Sequence, residues 1–387
     1  MEFNFLWLLS LPVFFGLGWL AARIDLRQLL RESRRVPQAY FKGLNFLLSE
    51  QHDKALESLV SVAHNHPDTV ELQFALGSLF RRKGEIDKAI TLHQSIVARQ
   101  DVTEEIRSDA LEALGHDFLK AGLFDRAEDA FTRLLSTNRS TAAKEALLGI
   151  YQQEREWPKA IDMARQLSDT PHAWQAEVAQ FHCELAHRAM SELDWPTATL
   201  NLEAALNVHR KCVRATIMLG DLALAQKLPE EAIKIWRRVE SQDAEFLPMV
   251  AERLLRTYEQ QSRLDEGLAL LKGLYLSHPS LDLLEHIIHG ELQQGRLNDA
   301  YVLLKDELRR QPTLAGLDQL LQVQLQVVPV ERRADLEQVR QLVHQHADRL
   351  NMYSCKHCGF KARQYFWHCP GCATWESYSP QRYRALA

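Results

Sequence analysis

Four cysteines towards the end of the chain carry the clearest chemistry in the sequence. Cys355 and Cys358 form one Cys-x-x-Cys pair, Cys369 and Cys372 a second, and ten residues separate the pairs. A Cys-x-x-Cys tight turn directs two thiolates at one point, and two such turns close a tetrahedral four-sulfur site for one metal ion. Gly359, directly after the second cysteine, relieves a turn that would otherwise crowd a Cβ. Disulfides are the competing use, but they are rare in cytoplasmic proteins, and a redox dithiol of thioredoxin type needs only one such pair. Four thiolates suit either zinc or a single iron, so the residues leave the ion open between iron and zinc. Cys183 and Cys212 fall in helical sequence and read as buried small apolar residues.

The segment around these cysteines, residues 353–380, is too short to bury a core of its own, so the metal must supply much of its folding energy. Its aromatic residues Tyr365, Phe366, Trp367 and Trp375 are too many for so small a ribbon to cover, and some are expected to pack on the rest of the protein. The double knuckle resembles the rubredoxin and zinc-ribbon class. Ala373 stands where rubredoxins usually carry glycine, so electron transfer is not implied. Histidines add no second site. His286 and His289 share a helix face without the glutamate a zinc protease needs, and His344 and His346 point apart on a helix. The sequence holds neither a Gly-rich phosphate loop nor a recognisable Ser/His/Asp spacing. A net charge of −5 with interspersed signs gives no reason to expect a nucleic-acid partner.

The elements that must position the cysteines form a repeat. A small residue recurs at Ala55, Ala89, Ala127, Ala160, Ala198, Ala232, Gly267 and Ala300, at intervals of 34, 38, 33, 38, 34, 35 and 33 residues. Upstream lie Leu76-Gly77 with Phe80, Leu114-Gly115 with Phe118, and Leu219-Gly220. Gly84, Gly122 and Gly295 mark turns between helices. An apolar residue precedes the small one by three (Ile86, Phe124, Trp157, Trp195, Leu264, Leu297) and another follows it by four (Leu59, Phe131, Trp236, Leu271, Leu304). Those offsets put both on the buried face of a helix, and Pro67, Pro279 and Pro312 close three units. The pattern resembles the tetratricopeptide repeat (TPR), two antiparallel helices of 34 residues that meet closely at the small residue. The 38-residue intervals predict longer loops or helix ends. Beyond Pro312, Leu314–Val328 and Ala334–Leu350 read as amphipathic helices separated by Pro329, a divergent ninth unit or capping pair.

The other end differs. Phe3 to Ala22 carries no charge, and its twenty residues span about 30 Å as a helix, the thickness of a bilayer core. A cleaved signal peptide would need a basic n-region and a cleavage site, and a buried soluble helix would be amphipathic; an uncleaved anchor fits better. Arg23, Arg27, Arg31, Arg34 and Arg35 follow it, against Asp25 and Glu32, so the positive-inside rule places the remaining chain in the cytoplasm.

The expected fold class is all-α: a TPR superhelical solenoid with an N-terminal transmembrane helix and a small C-terminal rubredoxin-like or zinc-ribbon domain. The expected divisions are an anchor at 1–22, a cytoplasmic neck at 23–39, about eight repeats at 40–312, divergent or capping helices at 313–350, and the four-cysteine ribbon at 351–387.

That order of parts, with Gly43-Leu44-Asn45-Phe46-Leu47-Leu48-Ser49, Ala121-Gly122-Leu123-Phe124-Asp125-Arg126-Ala127-Glu128-Asp129, Cys183-Glu184-Leu185-Ala186 and Ser241-Gln242-Asp243, closely resembles the lipopolysaccharide assembly protein B family. The resemblance spans the chain and departs mainly in the anchor and around repeats seven and eight. It implies a non-enzymatic inner-membrane adapter that presents the lipid A deacetylase LpxC to the membrane-bound protease FtsH. Two other readings stand beside it: a general scaffold gathering lipopolysaccharide-synthesis enzymes, and a rubredoxin-type redox protein.

Overall fold

The computed structural model describes residues 38–49, 51–65, 69–167 and 174–382, together with Trp19. The expected anchor (Trp19 aside), the arginine-rich neck up to residue 37 and Pro67 lie outside the described residues. Among the described residues no helix is long and apolar enough to cross a membrane.

Two compact units divide the chain, one ending at Glu154 and one running from Arg155 to Ala387. The first contains α1 (Gln38–Leu48), α2 (His52–Asn65), α3 (Val70–Lys83), α4 (Ile86–Ala98), α5 (Glu104–Ala121), α6 (Phe124–Leu134) and α7 (Ser140–Gln153). The second contains α8 (Trp157–Gln166), α9 (Gln175–Ser191), α10 (Trp195–Val208), α11 (Val213–Ala225), α12 (Pro229–Trp236), the short α13 (Val239–Gln242) and a 3-10 turn (Ala244–Phe246). It continues with α14 (Leu247–Gln260), α15 (Leu264–Ser277), α16 (Leu281–Gln293), α17 (Leu297–Arg310), α18 (Leu314–Val327) and α19 (Val330–Leu350), and ends in β1 (Tyr353–Ser354) and β2 (Lys361–Ala362).

The recurring small residues lie on the second helix of each repeat. Ala55, Ala89 and Ala127 in the first unit, and Ala160, Ala198, Ala232 and Ala300 in the second, have no solvent exposure, and Gly267 is buried too. Opposite them the first helix also gives way. A Cβ built on Gly115 would lie 2.7 Å from the Phe131 ring, and one on Gly220 2.1 Å from Trp236 Nε1. Each bulky partner sits four residues after its small residue, so one gap in each helix receives the other's side chain. At Gly77 the occupant is His93, fully buried, whose Nδ1–H donates to Asp117 at 2.5 Å; Asp117 also accepts from Arg81 at 3.0 Å.

Seven of the described turns between paired helices share one conformation. Gly84, Gly122 and Gly295 have φ of 87°, 73° and 71°, and the same left-handed position is held by Arg155, Leu193, Lys227 and Ser262 at 58–64°. All seven stand five residues before the small residue. The longer intervals go largely into first helices: α5 has 18 residues and α9 has 17, where α3 and α7 have 14. At the far end α19 begins at Val330, four residues before the expected start at Ala334, because Pro329 serves as its N-cap. Helix α18 packs on both α17 and α19, and Ala347 is the buried residue of α19.

Candidate metal centre

The ribbon opens directly after α19. Strands β1 and β2 pair antiparallel with Tyr353 opposite Ala362 and Ser354 opposite Lys361, and further bridges join Cys355 to Tyr378 and His368 to Trp375. Each Cys-x-x-Cys sits in a turn of the same form. Gly359 donates its N–H to the Cys355 carbonyl at 3.0 Å, and Ala373 donates to the Cys369 carbonyl at 2.9 Å. Both residues are left-handed, with φ of 75° and 56°. Ala373 thus takes the backbone conformation of its glycine counterpart and carries a Cβ into it.

These turns bring the four sulfurs together. All ligand atoms of Cys355, Cys358, Cys369 and Cys372 lie within 4.8 Å of one another, with Cys355 to Cys372 at 3.8 Å and Cys358 to Cys369 at 3.7 Å. A tetrahedral ion with metal–sulfur bonds of about 2.3 Å places its sulfurs about 3.8 Å apart, whereas a disulfide needs about 2.05 Å. The four cysteines fit one metal ion and are not disulfide-bonded. Cys355 and Cys369 are buried; Cys358 faces solvent. Polar groups lie against the sulfurs: the Cys358 N–H donates to Cys355 at 3.5 Å, and the Cys355 and Cys372 sulfurs are hydrogen-bonded to the Ser377 and Thr374 hydroxyls at 3.2 and 3.3 Å. The Thr374 hydroxyl and backbone N–H stabilise the Cys372 thiolate and hold that thiol down to about 5. At Cys355 burial pushes the thiol up, but its hydrogen bonds with Ser377 and with the backbone outweigh it and leave it below the usual value. Such donors favour the deprotonated form that a metal requires.

The ribbon lies back across the start of α8, α9, the 3-10 turn and α16 of the second unit. Trp375 sets its edge against Trp157 and Phe181, with ring centroids 6.1 and 6.0 Å away. Trp367 stacks on Phe246 at 5.6 Å with the rings nearly parallel, and Tyr365 meets Phe246 edge-on. Phe366, by contrast, stays within the ribbon against Tyr378. Charged groups reinforce the contact. Lys356 pairs with Glu245 at 3.4 Å, and Arg382 bonds Asp282 at 2.5 Å and also Glu285. Near the knuckle, Gln180 Nε2 donates to Glu376 at 2.6 Å, and burial pushes the Glu376 carboxyl up to about 7.

Other candidates stay apart from the cysteine site. Cys183 and Cys212 are fully buried with sulfurs 3.9 Å apart, and burial first, then Cys212, pushes the Cys183 thiol up. His286 is half-buried, and burial lowers its pKa; His289 is exposed. His344 and His346 are exposed, and His344 pairs with Asp318 at 2.9 Å.

Comparison with known proteins decides the family. Residues 353–380 match the family model described as a rubredoxin metal binding domain, and residues 42–101, 112–171 and 183–245 match the tetratricopeptide repeat. Lipopolysaccharide assembly protein B of Escherichia coli is 34% identical over 381 residues, covering 97% of this chain and 97% of that protein. The chain belongs to the lipopolysaccharide assembly protein B family. The Haemophilus influenzae protein of that name is 29% identical over 387 residues, covering 96% of this chain and 97% of its own. A solved structure, the crystal structure of MamA, is 18% identical and covers 52% of this chain and 94% of that one. Its TM-score is 0.28.

Proposed function

We propose that this chain is a non-enzymatic adapter in the control of lipopolysaccharide synthesis, delivering an LpxC-type deacetylase to an FtsH-type membrane protease. The observation that carries the reading is a family member in which helical repeats and a metal ribbon present one joined surface. A repeat array supplies an extended surface for a client and specifies no reaction by itself. In this reading Phe3–Ala22 is a single-pass inner-membrane anchor with the repeats on the cytoplasmic side, which confines the adapter to the plane of the protease and raises effective concentration. Cys355, Cys358, Cys369 and Cys372 hold one zinc or iron ion, which supplies folding energy to the ribbon rather than carrying electrons.

The deciding experiment follows the deacetylase in cells depleted of this protein. Its half-life should lengthen several-fold, and re-expression should shorten it again. An unchanged half-life, with lipopolysaccharide synthesis nonetheless disturbed, would favour a scaffold that gathers the enzymes without feeding a protease.

A further inference from the structure

The two tryptophans that flank the second knuckle close on a single guanidinium. Trp367 stands two residues before Cys369 and Trp375 three residues after Cys372. Arg214, on α11 and only 8% exposed, has its guanidinium carbon 5.8 Å from the Trp367 ring centroid and 6.0 Å from that of Trp375. The same group is fixed from the array side: Arg214 donates to Glu184 at 2.7 Å and to Gln180 at 3.2 Å. Gln180 has no solvent exposure and passes the contact on by donating to Glu376 at 2.6 Å. A buried cation, an amide and a carboxylate therefore connect α9 and α11 to the residues that hold the second pair of cysteines in place.

Neither side of this arrangement is complete alone. Without the ribbon, Arg214 would lose both aromatic faces and keep Glu184 and Gln180, while Gln180 would lose the Glu376 carboxylate and keep the longer 3.6 Å contact to the Cys212 sulfur. Without Arg214, the turn from Cys369 to Cys372 would lose the packing that fixes its flanking rings, so its two sulfurs would be less well prepared for an ion. We infer that Arg214 is a positioning residue for the metal site, and that metal binding at the four cysteines and order in α9 and α11 stabilise each other. Linkage makes this reciprocal: the factor by which the ion tightens the helices is the factor by which the docked helices tighten the ion.

The inference rests on the reading of the four cysteines as metal ligands, and the experiment separates the two. Metal affinity of the full-length chain is measured by competition with a chromogenic zinc chelator, for wild type and for Arg214→Ala, Arg214→Lys, Trp375→Ala and Arg263→Ala. Arg214→Ala and Trp375→Ala should weaken zinc binding about tenfold or more. Arg214→Lys should recover part of the loss, and Arg263→Ala, on an exposed ion pair with Glu230 and Glu266, should bind as wild type. Should Arg214→Ala fail to fold, Trp375→Ala and hydrogen exchange decide. Chelating the wild type should speed amide exchange in Gln175–Ser191 and Val213–Ala225. A wild-type chain that takes up no metal removes the site reading and this inference together. A wild type that binds, with Arg214→Ala and Trp375→Ala within twofold of it, or with exchange in α9 and α11 unchanged on chelation, overturns this inference alone.

Discussion

At Gly220 the absence of a side chain is as specific as any contact. The Trp236 indole fills the space a Cβ would take, is itself fully buried, and donates its N–H to the Ile217 carbonyl at 3.1 Å. Gly220→Ala should therefore push the indole off its hydrogen bond and cost about 1–3 kcal/mol, as overpacking does, read as a lower urea midpoint of the second unit. The left-handed turn makes the opposite prediction. Leu193 holds φ of 60° with its side chain mostly in solvent, where a non-glycine residue is strained by about 1–2 kcal/mol. Leu193→Gly should relieve that strain, less the extra unfolded-state entropy of glycine, and raise stability by up to about 1 kcal/mol; a fall in the midpoint would show that the Leu193 side chain packs more than its exposure implies. These residues also mark what the sequence discloses. The alanines and Gly84, Gly122 and Gly295 are legible because steric need selects the residue type. Arg155, Leu193, Lys227 and Ser262 make the same turn without a telling side chain, since neighbouring helices impose the conformation.

The ribbon is the element whose chemistry was most legible and whose placement was least so. Two Cys-x-x-Cys pairs announce a four-sulfur site within eighteen residues of sequence, and an excess of aromatics announces some docking. No local pattern says where. Glu376 meets Gln180 across 196 positions and Arg382 meets Asp282 across 100, and neither pair has a spacing that recurs. Docking has a pH dependence that follows from Glu376. Burial raises its carboxyl from an ordinary 4.5 to about 7; Arg214 opposes the rise, and Asp243 and Glu177 add to it. The docked state binds the proton more tightly than the undocked one. The stabilisation from this group is therefore fully present below about 4.5 and is lost as pH rises through about 7. Between pH 6 and 8 the wild-type ribbon should become easier to cleave by protease, while Glu376→Gln, always neutral, should show a flatter profile. A wild-type ribbon better protected at pH 8 than at pH 6 would reverse the sign and remove the argument.

Over the whole molecule, stability is of two kinds. Repeat helices are held by neighbours: in the second unit Leu254, Leu271, Leu283, Leu284 and Leu304 form one core built from helix residues, with Tyr365 and Trp367 of the ribbon packed against it. The ribbon has a buried cluster of only Cys355, Cys369 and Tyr378, and two of those three are candidate ligands. Replacing Cys369 by Ser should leave three thiolates and a weak site, so the ribbon should lose its fold along with the ion. Far-UV circular dichroism should stay close to wild type, because the helices remain. Three other readings should change: bound metal is lost, cleavage after Leu350 accelerates, and tryptophan emission shifts to the red as Trp367 and Trp375 leave Phe246, Trp157 and Phe181. Loss of helical signal in step with the metal would instead make ribbon and repeats a single cooperative unit. The cellular consequence separates a working surface from a cap. Under the proposed adapter function, and if the ribbon contributes to the client surface, Cys369→Ser and a chain ending at Asn351 should both let the deacetylase accumulate, although the repeats stay folded. A chain ending at Asn351 that keeps the enzyme at its normal level would reduce the ribbon to a cover over Trp157, Phe181 and Arg214 and, under the proposed adapter function, would place recognition of the client in the helices alone.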